Sequence, residues 1–433
     1  MRKEALMLKL LRSSALALLL ASPTMPAAFH TVASAQSQDP APSQAPGTQP
    51  EAVATAAEWN VAQARELLTY VEGIGAEGLS PSDYGPDRLR SAIRANDGSL
   101  SAVASDVFNR LSSDLALGHV RGGDRVDWHM EGLTFNGGDQ QQLLARALSG
   151  GVAEALETLH PTHPQYRGLR RALAQTAASD SARRDLIRTN MDRWRWMPRN
   201  LGARHILVNV PAFTAAVVQD GGVVARHRTV VGAIRTPTPQ LSAMATGVTF
   251  NPWWNVPQSI VREMGGRFGS DYEVRRQGNY TIARQRPGPR NALGRLKVEM
   301  ANAHAIYLHD TPARHLFSRD VRAFSHGCIR TQDPLTFAET LLSANGGNWA
   351  RPRIDQAVES GRTTLAPLTT PVPVYISYFT AAATAEGTII TYNDIYGRDR
   401  RVRLALNNQR TGNAATASST TAPNADPDDP SLN

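Results

Sequence analysis

Cysteine is almost missing from this chain: Cys328 is the single thiol in 433 residues. One cysteine excludes an intramolecular disulfide, so the thiol is either a small buried residue or a reactive group. Dense lysine and arginine runs with interleaved aromatic residues are also missing, which argues against nucleic acid as a partner. The formal net charge of +8 is spread along the chain. The composition therefore makes Cys328 the first candidate for function.

Long hydrophobic runs are scarce as well. The apolar stretch at residues 13–21 has nine residues, too few to span a bilayer. Basic residues precede it, and Ala33-Ser34-Ala35 fits a small-residue cleavage site. Residues 1–35 are thus typical of a secretory signal peptide. We expect an exported, periplasmic protein without a later membrane-spanning segment.

Two segments are too polar to fold. Residues 36–55 are rich in Pro, Gln, Ala and Ser, and residues 407–433 are rich in Ala, Thr, Ser and Asn. Such compositions cannot bury enough apolar surface to offset the entropy of ordering the chain. We expect a disordered linker and a disordered tail, with two domains between them at 56–188 and 189–406.

The domain at 56–188 has the apolar periodicity of helices. Two runs recur at helical spacing: Val61, Ala64, Leu67, Leu68 and Val71, then Val103, Val107, Phe108, Leu111 and Leu115. His160 and His163 are spaced like a ligand pair, but each precedes a proline, which favours extended backbone. No cysteine or acidic cluster accompanies them, so we expect no metal site.

The domain at 189–406 reads as mainly β. Its segments rich in β-branched and aromatic residues are bounded by Gly or Pro, as strands are. The fold class is therefore α+β, with a helical domain first. Residues 257–288 form a polar, Gly- and Arg-rich insertion of mixed helical and loop character. An insertion of this length is either a lid or binding element, or a surface elaboration without function.

His309 is the best-placed base for Cys328. It ends the apolar segment 305–308 and precedes Asp310-Thr311-Pro312, which must turn the chain. A histidine where a strand meets a loop can face a cleft, although a plain surface histidine is the alternative. Together with the single thiol and the expected export, this His-then-Cys order suggests acyl transfer through a thioester.

The residues on either side of Cys328 suggest how the thiol is activated. Gly327 permits a positive φ and a close backbone approach, which suits N–H groups aimed at an oxyanion. A helix beginning after Asp333 is expected to direct its N-terminal dipole at the cysteine region and so to lower the thiol pKa.

Two motifs resemble the catalytic signature of the L,D-transpeptidases, the YkuD-type domain. They are residues 306–312 (IYLHDTP) and, after a gap of fifteen residues from His309, residues 325–330 (SHGCIR). The resemblance extends to NPWWNVP at 251–257, NALG at 291–294, and the later PVPVYISY and DIYGRD. It implies a β-sandwich-like catalytic domain with an inserted capping subdomain at about 257–288. The helical domain resembles the scaffold domain of the large members, without their peptidoglycan-binding domain.

The resemblance also implies roles for individual residues. Cys328 matches the nucleophile and His309 the general base, oriented by the backbone carbonyl of Asp310. The other matching positions shape the site, line the groove or cap, or assist the oxyanion: Ser325, His326, Gly327, Arg330, Tyr307, Trp253, Trp254 and Asn255. The tryptophans are equally well explained as core residues. No metal or organic cofactor is implied.

The resemblance implies a peptidoglycan L,D-transpeptidase. Cys328 would take the acyl group of the third residue of a tetrapeptide stem and release D-alanine. A diaminopimelate amine of another stem would then accept it, giving a 3→3 crosslink. Carbapenems are implied as inhibitors that acylate Cys328, and we expect a monomer.

Other functions remain open at this point. The acceptor could differ, as in a 1→3 crosslink, a lipoprotein or a free D-amino acid. An exported cysteine peptidase or amidase would use water instead. A non-catalytic wall-binding protein would hold Cys328 buried and inert.

Overall fold

A computed structural model describes residues 58–130, 133–278, 280–343, 348–384 and 386–408. The expected signal peptide at 1–35 and linker at 36–55 lie outside these residues, as does nearly all of the expected tail at 407–433. Within the described part, no helix is both long and apolar enough to cross a membrane.

Among the residues that the structure describes, seven α-helices form the first part of the fold. They are α1 (Val61–Gly73), α2 (Pro86–Ala95), α3 (Leu100–Leu117), α4 (Gly137–Gly150), α5 (Val152–Glu157), α6 (Pro164–Gln175) and α7 (Ser181–Trp196). A two-residue strand, β1 (Trp128–His129), lies between α3 and α4. Asparagine side chains cap α1 and α4 in reciprocal capping boxes, at Asn60 and Asn136.

The helices pack around a core of their own. Leu67, Phe108, Leu111 and Leu143 are completely buried in it. The two periodic runs predicted from the sequence are α1 and α3, and their apolar residues provide much of this core. The prediction of a helical first part is therefore confirmed.

The predicted domain boundary at residue 188 falls within α7, which continues to Trp196. The last two turns of α7 stay helical since they are buried against the end of the chain. Asn190 Oδ1 accepts a hydrogen bond of 2.9 Å from the Thr380 N–H. Arg193 Nη1 donates to Asp399 Oδ1 at 2.6 Å. The helix thus belongs to both parts of the fold.

The second part is mainly β, as predicted. Its elements are β2 (Arg204–Asn209), β3 (Thr214–Gln219), β4 (Gly222–Gly232), β5 (Gln240–Phe250), β6 (Trp254–Asn255), α8 (Gln258–Glu263), β7 (Tyr272–Gln277), β8 (Tyr280–Gln285), β9 (Leu296–Glu299), β10 (Leu308–His309), β11 (Ala323–Ser325), β12 (Ile329–Thr331), α9 (Pro334–Ser343), α10 (Arg351–Glu359), β13 (Thr364–Ser377), β14 (Ala381–Ala383), β15 (Ile389–Thr391) and α11 (Asp399–Asn407).

The main sheet closes on itself. Its strand order is β5-β13-β2-β3-β4-β12-β10-β9, and β9 also pairs with β5. β1 joins β5 in parallel, and β11 pairs with β4. The apolar faces of these strands enclose a core that includes Ile206, Val248, Leu308 and Ile329. Closure leaves the short strands β10 and β12 side by side, which positions the candidate site.

The insertion predicted at about 257–288 forms a small subdomain, which we call the cap. It contains α8 and a three-stranded sheet in the order β6-β8-β7. The expected mixture of helix and loop is wrong for residues 272–277 and 280–285, which form the antiparallel strands β7 and β8. Trp254, Val256, Val261 and Ala283 give the cap its own small core.

The end of the chain returns to the helical part. Antiparallel β14 and β15 pack with α6 and α7, and Phe379 stacks on Trp194 with ring centroids 4.3 Å apart. Val402 and Leu406 of α11 are buried beside Trp196. The helical and β parts are therefore joined by a continuous interface.

Candidate active site

The strands β10 and β12 bring His309 and Cys328 to one face of the sheet. They pair in parallel, with Leu308 opposite Ile329 and His309 opposite Arg330. Leu308 and Ile329 are both completely buried in the core. Because side chains alternate along a strand, His309 and Cys328, which directly precedes β12, are expected to project to the other face. Strand spacing and rise place these diagonal neighbours about 8 Å apart between Cα atoms, within reach of a thiol and an imidazole.

The backbone determines the tautomer of His309. Its Nδ1 lies 2.5 Å from the Asp310 carbonyl oxygen. A carbonyl only accepts hydrogen bonds, so Nδ1 carries the proton and donates it. The other ring nitrogen, Nε2, is then an acceptor. His309 therefore has the orientation and the tautomer of a general base.

His309 is neutral at ordinary pH. The side chain is 5% exposed. Burial, followed by the positive charge of Arg330, lowers the pKa of His309 to about 3, although the Asp310 carbonyl opposes the change. His309 can therefore accept a proton only from a neighbouring group that gives up its own proton within the site.

Cys328 is a protonated thiol at rest. Burial raises its pKa, while the backbone N–H and then the hydroxyl of Tyr307 favour the thiolate, followed by Arg330 and Lys297. The predicted lowering of this pKa by a helix dipole is wrong. The helix α9 begins only at Pro334. The strand β12 lies between Cys328 and this helix and takes the chain roughly 10 Å from the thiol. Helix dipoles act only within about a turn.

Tyr307 connects the thiol to the cap. Its ring lies edge-on to His309 with centroids 5.6 Å apart, and Lys297 Nζ lies 5.0 Å from its centroid. Burial, and next the neighbouring Cys328, raises the pKa of Tyr307. Its ring also packs with the buried Trp254 of β6. Tyr307 is therefore a neutral hydroxyl beside the sulphur.

The Asp310 side chain supports the site from behind. The carboxylate is buried, and Oδ2 accepts from the Arg295 N–H at 2.9 Å and from Arg295 Nε at 3.1 Å. Gly294 has a φ of +63°, and a Cβ there would lie 2.5 Å from Asp310 Oδ2. The carboxylate thus locks the turn whose carbonyl orients His309.

Gly294→Ala is expected to damage this support. A left-handed φ costs a non-glycine residue about 1–2 kcal/mol, and the new methyl group would displace the Asp310 carboxylate. We expect a lower melting temperature and acylation of Cys328 slowed by about tenfold. Gly361→Ala is the matched control, since Gly361 has a φ of +65° but no atom near its absent Cβ. Equal losses in the two variants would show that only backbone strain matters.

A hydrogen-bonded loop holds the backbone around Cys328. Ser325 Oγ donates to the Cys328 carbonyl at 2.5 Å and accepts from the Gly327 N–H at 3.2 Å. Thr238 Oγ1 donates to the Gly327 carbonyl at 2.7 Å. Gly327 has a φ of +114°, so glycine is required there. No described residue accepts the Cys328 N–H, which leaves that group available to an oxyanion.

The remaining predicted residues lie at different distances from the thiol. Arg330 is partly buried on β12 and acts on both His309 and Cys328 through its charge. His326 is 42% exposed, and its Nε2 lies 2.7 Å from Glu263 Oε2 of α8. His326 therefore joins the motif to the cap. Asn255 is exposed on β6 and faces away from the buried Trp254.

Several residues near the site were not predicted. Lys297 lies on β9 in register with His309, and no sequence pattern marks it. Tyr396 and Arg398 belong to the DIYGRD motif, for which the family resemblance implied no role in the site. Tyr396 Oη donates to the Gly232 carbonyl at 2.6 Å, and an Arg398 Nη2 donates to the Thr238 carbonyl at 3.1 Å.

Comparison with known families agrees with this geometry. Residues 203–376 match the family model described as the L,D-transpeptidase catalytic domain, called YkuD. Residues 55–173 match the model described as the Scaffold domain. This chain carries an L,D-transpeptidase catalytic domain. The resemblance in the motifs is thereby confirmed, as is the scaffold domain before it.

Individual relatives match over part of their length. A Haemophilus influenzae protein named as a proposed L,D-transpeptidase is 33% identical over 226 residues, which are 46% of this chain and 45% of the relative. The chain thus spans about half the length of the curated relative it matches.

Solved structures also match only part of this chain. An L,D-transpeptidase from Mycobacterium smegmatis is 14% identical, with a TM-score of 0.23 over 40% of this chain and 58% of that one. L,D-transpeptidase 3 from Mycobacterium tuberculosis, in complex with a faropenem-derived adduct, is 13% identical. Its TM-score is 0.23 over 40% of this chain and 60% of that one.

The L,D-transpeptidase domain contains the whole Cys328–His309 pair and the cap. The matched range ends at residue 376, before Tyr396 and Arg398. These two residues bond the Gly232 and Thr238 carbonyls, and the Thr238 hydroxyl in turn bonds the Gly327 carbonyl of the nucleophile loop.

Proposed function

We propose that this protein is an exported, monomeric peptidoglycan L,D-transpeptidase that forms 3→3 crosslinks. The observation that carries the proposal is the neutral His309, fixed by the Asp310 carbonyl on the same sheet face as Cys328. This arrangement supplies a protonated thiol as the nucleophile and a neutral imidazole as the base that takes its proton. The family of the catalytic domain supports the reaction class.

The first half of the reaction forms a thioester. The Cys328 thiol gives its proton to His309 Nε2 as the sulphur attacks the carbonyl carbon of the third stem residue. The Cys328 N–H and the Tyr307 hydroxyl would donate hydrogen bonds to the oxyanion. The protonated His309 then gives its proton to the departing amine, and D-alanine leaves.

The second half transfers the acyl group. The amine of a diaminopimelate residue attacks the thioester carbon and loses a proton to His309. Collapse of the intermediate breaks the carbon–sulphur bond, forms the new amide, and returns the proton to Cys328. Both halves use one base, and no step requires a metal or cofactor.

The cap supports a peptide donor. It covers Tyr307 with Trp254, and the His326–Glu263 contact holds α8 against the nucleophile loop. Arg284 lies over the Trp253 ring at 4.3 Å on the outer side of the cap. An extended stem peptide held between the cap and the sheet would present its third carbonyl to Cys328. A β-lactam carbonyl would use the same position, so carbapenem acylation of Cys328 belongs to the proposal.

The test is product analysis of the purified enzyme with disaccharide-tetrapeptide. Mass spectrometry is expected to show release of D-alanine and a dimer joined between two third residues. A tripeptide product without a dimer would favour a peptidase or amidase. Amides to an added D-amino acid alone, or a 1→3 dimer, would move the acceptor. Cell fractionation with an intact and a truncated residue 1–35 segment tests export.

A further inference from the structure

The cap carries positive charge that the described protein does not balance. Residues 257–288 contain six arginines and three acidic residues. Each acidic side chain already has a partner: Glu263 pairs with His326, Asp271 with Arg290, and Glu273 with Arg284 and Arg286. Four exposed arginines of the cap form no ion pair with any described residue, namely Arg262, Arg267, Arg275 and Arg276. These charges are therefore available to an anionic partner.

Two of these arginines project from opposite faces of one strand. In the antiparallel pairing of β7 with β8, Arg275 lies opposite Ile282 and Arg276 lies opposite Thr281. Neighbouring side chains of a strand alternate between the two faces of a sheet. Arg276 therefore shares a face with Ala283, which is buried in the core of the cap, whereas Arg275 is on the outer face. Positive charge is thus present on both sides of the strand pair.

Exposed apolar side chains lie beside both arginines. Ile282 is 39% exposed and Tyr280 is 60% exposed, and both share the outer face with Arg275. Val274 is 39% exposed and shares the other face with Arg276. We call these five residues the cap tip. Each face of the cap tip thus combines a cation with apolar surface that is in contact with water.

The opposite end of the strand pair is anchored and balanced in charge. Glu273 lies opposite Arg284, and its Oε2 accepts a hydrogen bond of 2.7 Å from Arg284 Nε. Trp254 and Asn255 of β6 pair with β8 at this end. Among the described strands, β7 pairs with β8 alone. The strand pair is therefore held at its base, while the cap tip faces solvent.

A bilayer surface matches the cap tip better than a flat partner does. A partner that lies against one face of the strand pair would contact Arg275 or Arg276 but not both. The headgroup region of a bilayer surrounds an element that enters it, so it offers phosphate oxygens to both guanidinium groups. Tyrosine is enriched at this level of membranes, and aliphatic side chains gain by leaving water there. The two faces of the cap tip therefore favour an anionic membrane.

We infer that the cap tip is a docking surface for a membrane that contains anionic phospholipids. Arg275 and Arg276 would bind headgroup phosphates, and Tyr280 with Ile282 would lie at the level of the headgroups. This surface goes beyond the proposed crosslinking reaction and does not depend on it. Because the cap contacts the nucleophile loop, docking would also hold that loop close to the membrane surface.

Vesicle sedimentation tests the docking surface. The protein is the chain without residues 1–35, which keeps every described residue and removes an apolar stretch that could itself enter a bilayer. The probes are vesicles of phosphatidylglycerol and phosphatidylcholine in about equal parts, and vesicles of phosphatidylcholine alone. The parent is expected to bind the anionic vesicles at least about tenfold more tightly, and to lose this preference at high salt.

Arg275→Gln combined with Arg276→Gln is expected to weaken binding to the anionic vesicles by about tenfold or more. Arg400→Gln combined with Arg403→Gln is the matched control, because both arginines are exposed on α11 and their loss removes the same charge. The control is expected to weaken binding by less than about threefold. Equal losses in the two double variants, or equal binding of the parent to both kinds of vesicle, would overturn the docking surface.

The apolar residues distinguish a membrane from other anionic partners. Tyr280→Ser combined with Ile282→Ser is expected to weaken binding to the anionic vesicles by about fivefold or more, because apolar surface then gains less by leaving water. Unchanged binding would show attraction to anions in general and would overturn the membrane assignment. Melting curves check folding, and Tyr280→Ser alone, with about threefold weaker binding expected, replaces a double variant that unfolds.

The docking surface and the proposed reaction can fail separately. The Cys328→Ala variant is expected to bind the anionic vesicles as tightly as the parent does, although it makes no crosslinks. Vesicle binding that depends on Arg275 and Arg276, in a protein that never transfers an acyl group, would support the docking surface and contradict the reaction. Crosslinking by a parent protein that ignores anionic vesicles would support the reaction and overturn the docking surface.

Discussion

Cys328→Ala is expected to abolish every covalent step while leaving the fold intact. Cys328 is the only thiol in the chain, so no second sulphur can take its place. The residue is half-buried at the edge of the core, and alanine removes one sulphur atom without introducing a polar group. Intact mass after incubation with tetrapeptide donor, or with a carbapenem, is expected to show no adduct. D-alanine release and dimer formation are expected to disappear with it.

Cys328→Ser is the matched control for this prediction. It keeps the shape of the side chain and adds only a hydroxyl in place of the thiol. A hydroxyl is a much weaker acid than a thiol, so acylation is expected to fall by several orders of magnitude. Melting curves of both variants should match the parent within a few degrees. Crosslinked dimers made by the alanine variant would place the nucleophile elsewhere and end the proposal.

The motifs around His309 and Cys328 could be predicted because they are local. A strand ending in His309 and a glycine before Cys328 are both visible in the sequence. What brings them together is the pairing of β10 with β12, which follows from closure of the sheet. The apolar Leu308 and Ile329 set the register of that pairing by facing the core.

Some of the family motifs have a structural meaning that the sequence could not show. Asn291 Nδ2 donates to the Pro252 carbonyl at 3.1 Å and to the Arg286 carbonyl at 2.9 Å. Asn251 Nδ2 donates to the Ala357 carbonyl at 2.9 Å. Buried backbone carbonyls need such partners. Asn291 therefore joins the two ends of the cap, and Asn251 joins the chain after β5 to α10.

Long-range contacts explain what the sequence did not reveal. Asp127 and Arg398 are 271 positions apart, and nothing local marks either as a partner of the other. The thiol pKa was predicted in the wrong direction for a related reason. Burial depends on the whole fold, whereas a helix start can be read locally. The boundary predicted at residue 188 falls inside α7, whose later turns are buried by the end of the chain.

His309→Gln is expected to slow acylation of Cys328 by on the order of 10²–10⁴-fold, the usual loss of a general base. Glutamine can still donate to the Asp310 carbonyl, so the backbone turn should be kept. Stopped-flow or mass-based measurement of adduct formation with a carbapenem gives the rate. A loss below about threefold would assign the base to another group, with His326 as the nearest imidazole in the sequence.

The pH dependence distinguishes a lost base from a damaged site. In the parent enzyme the pKa of His309 is lowered to about 3 and that of Cys328 is raised, so both groups are neutral between these limits. The acylation rate should therefore hardly change with pH between about 5.5 and 7.5, a range that lies between the two pKa values. Without His309 the thiolate must form first. The rate of the glutamine variant should then rise by about tenfold per pH unit below the pKa of Cys328. A flat profile in the variant at the parent's rate would mean that proton transfer never depended on His309, whereas a flat profile at a lower rate would indicate displacement of the sulphur.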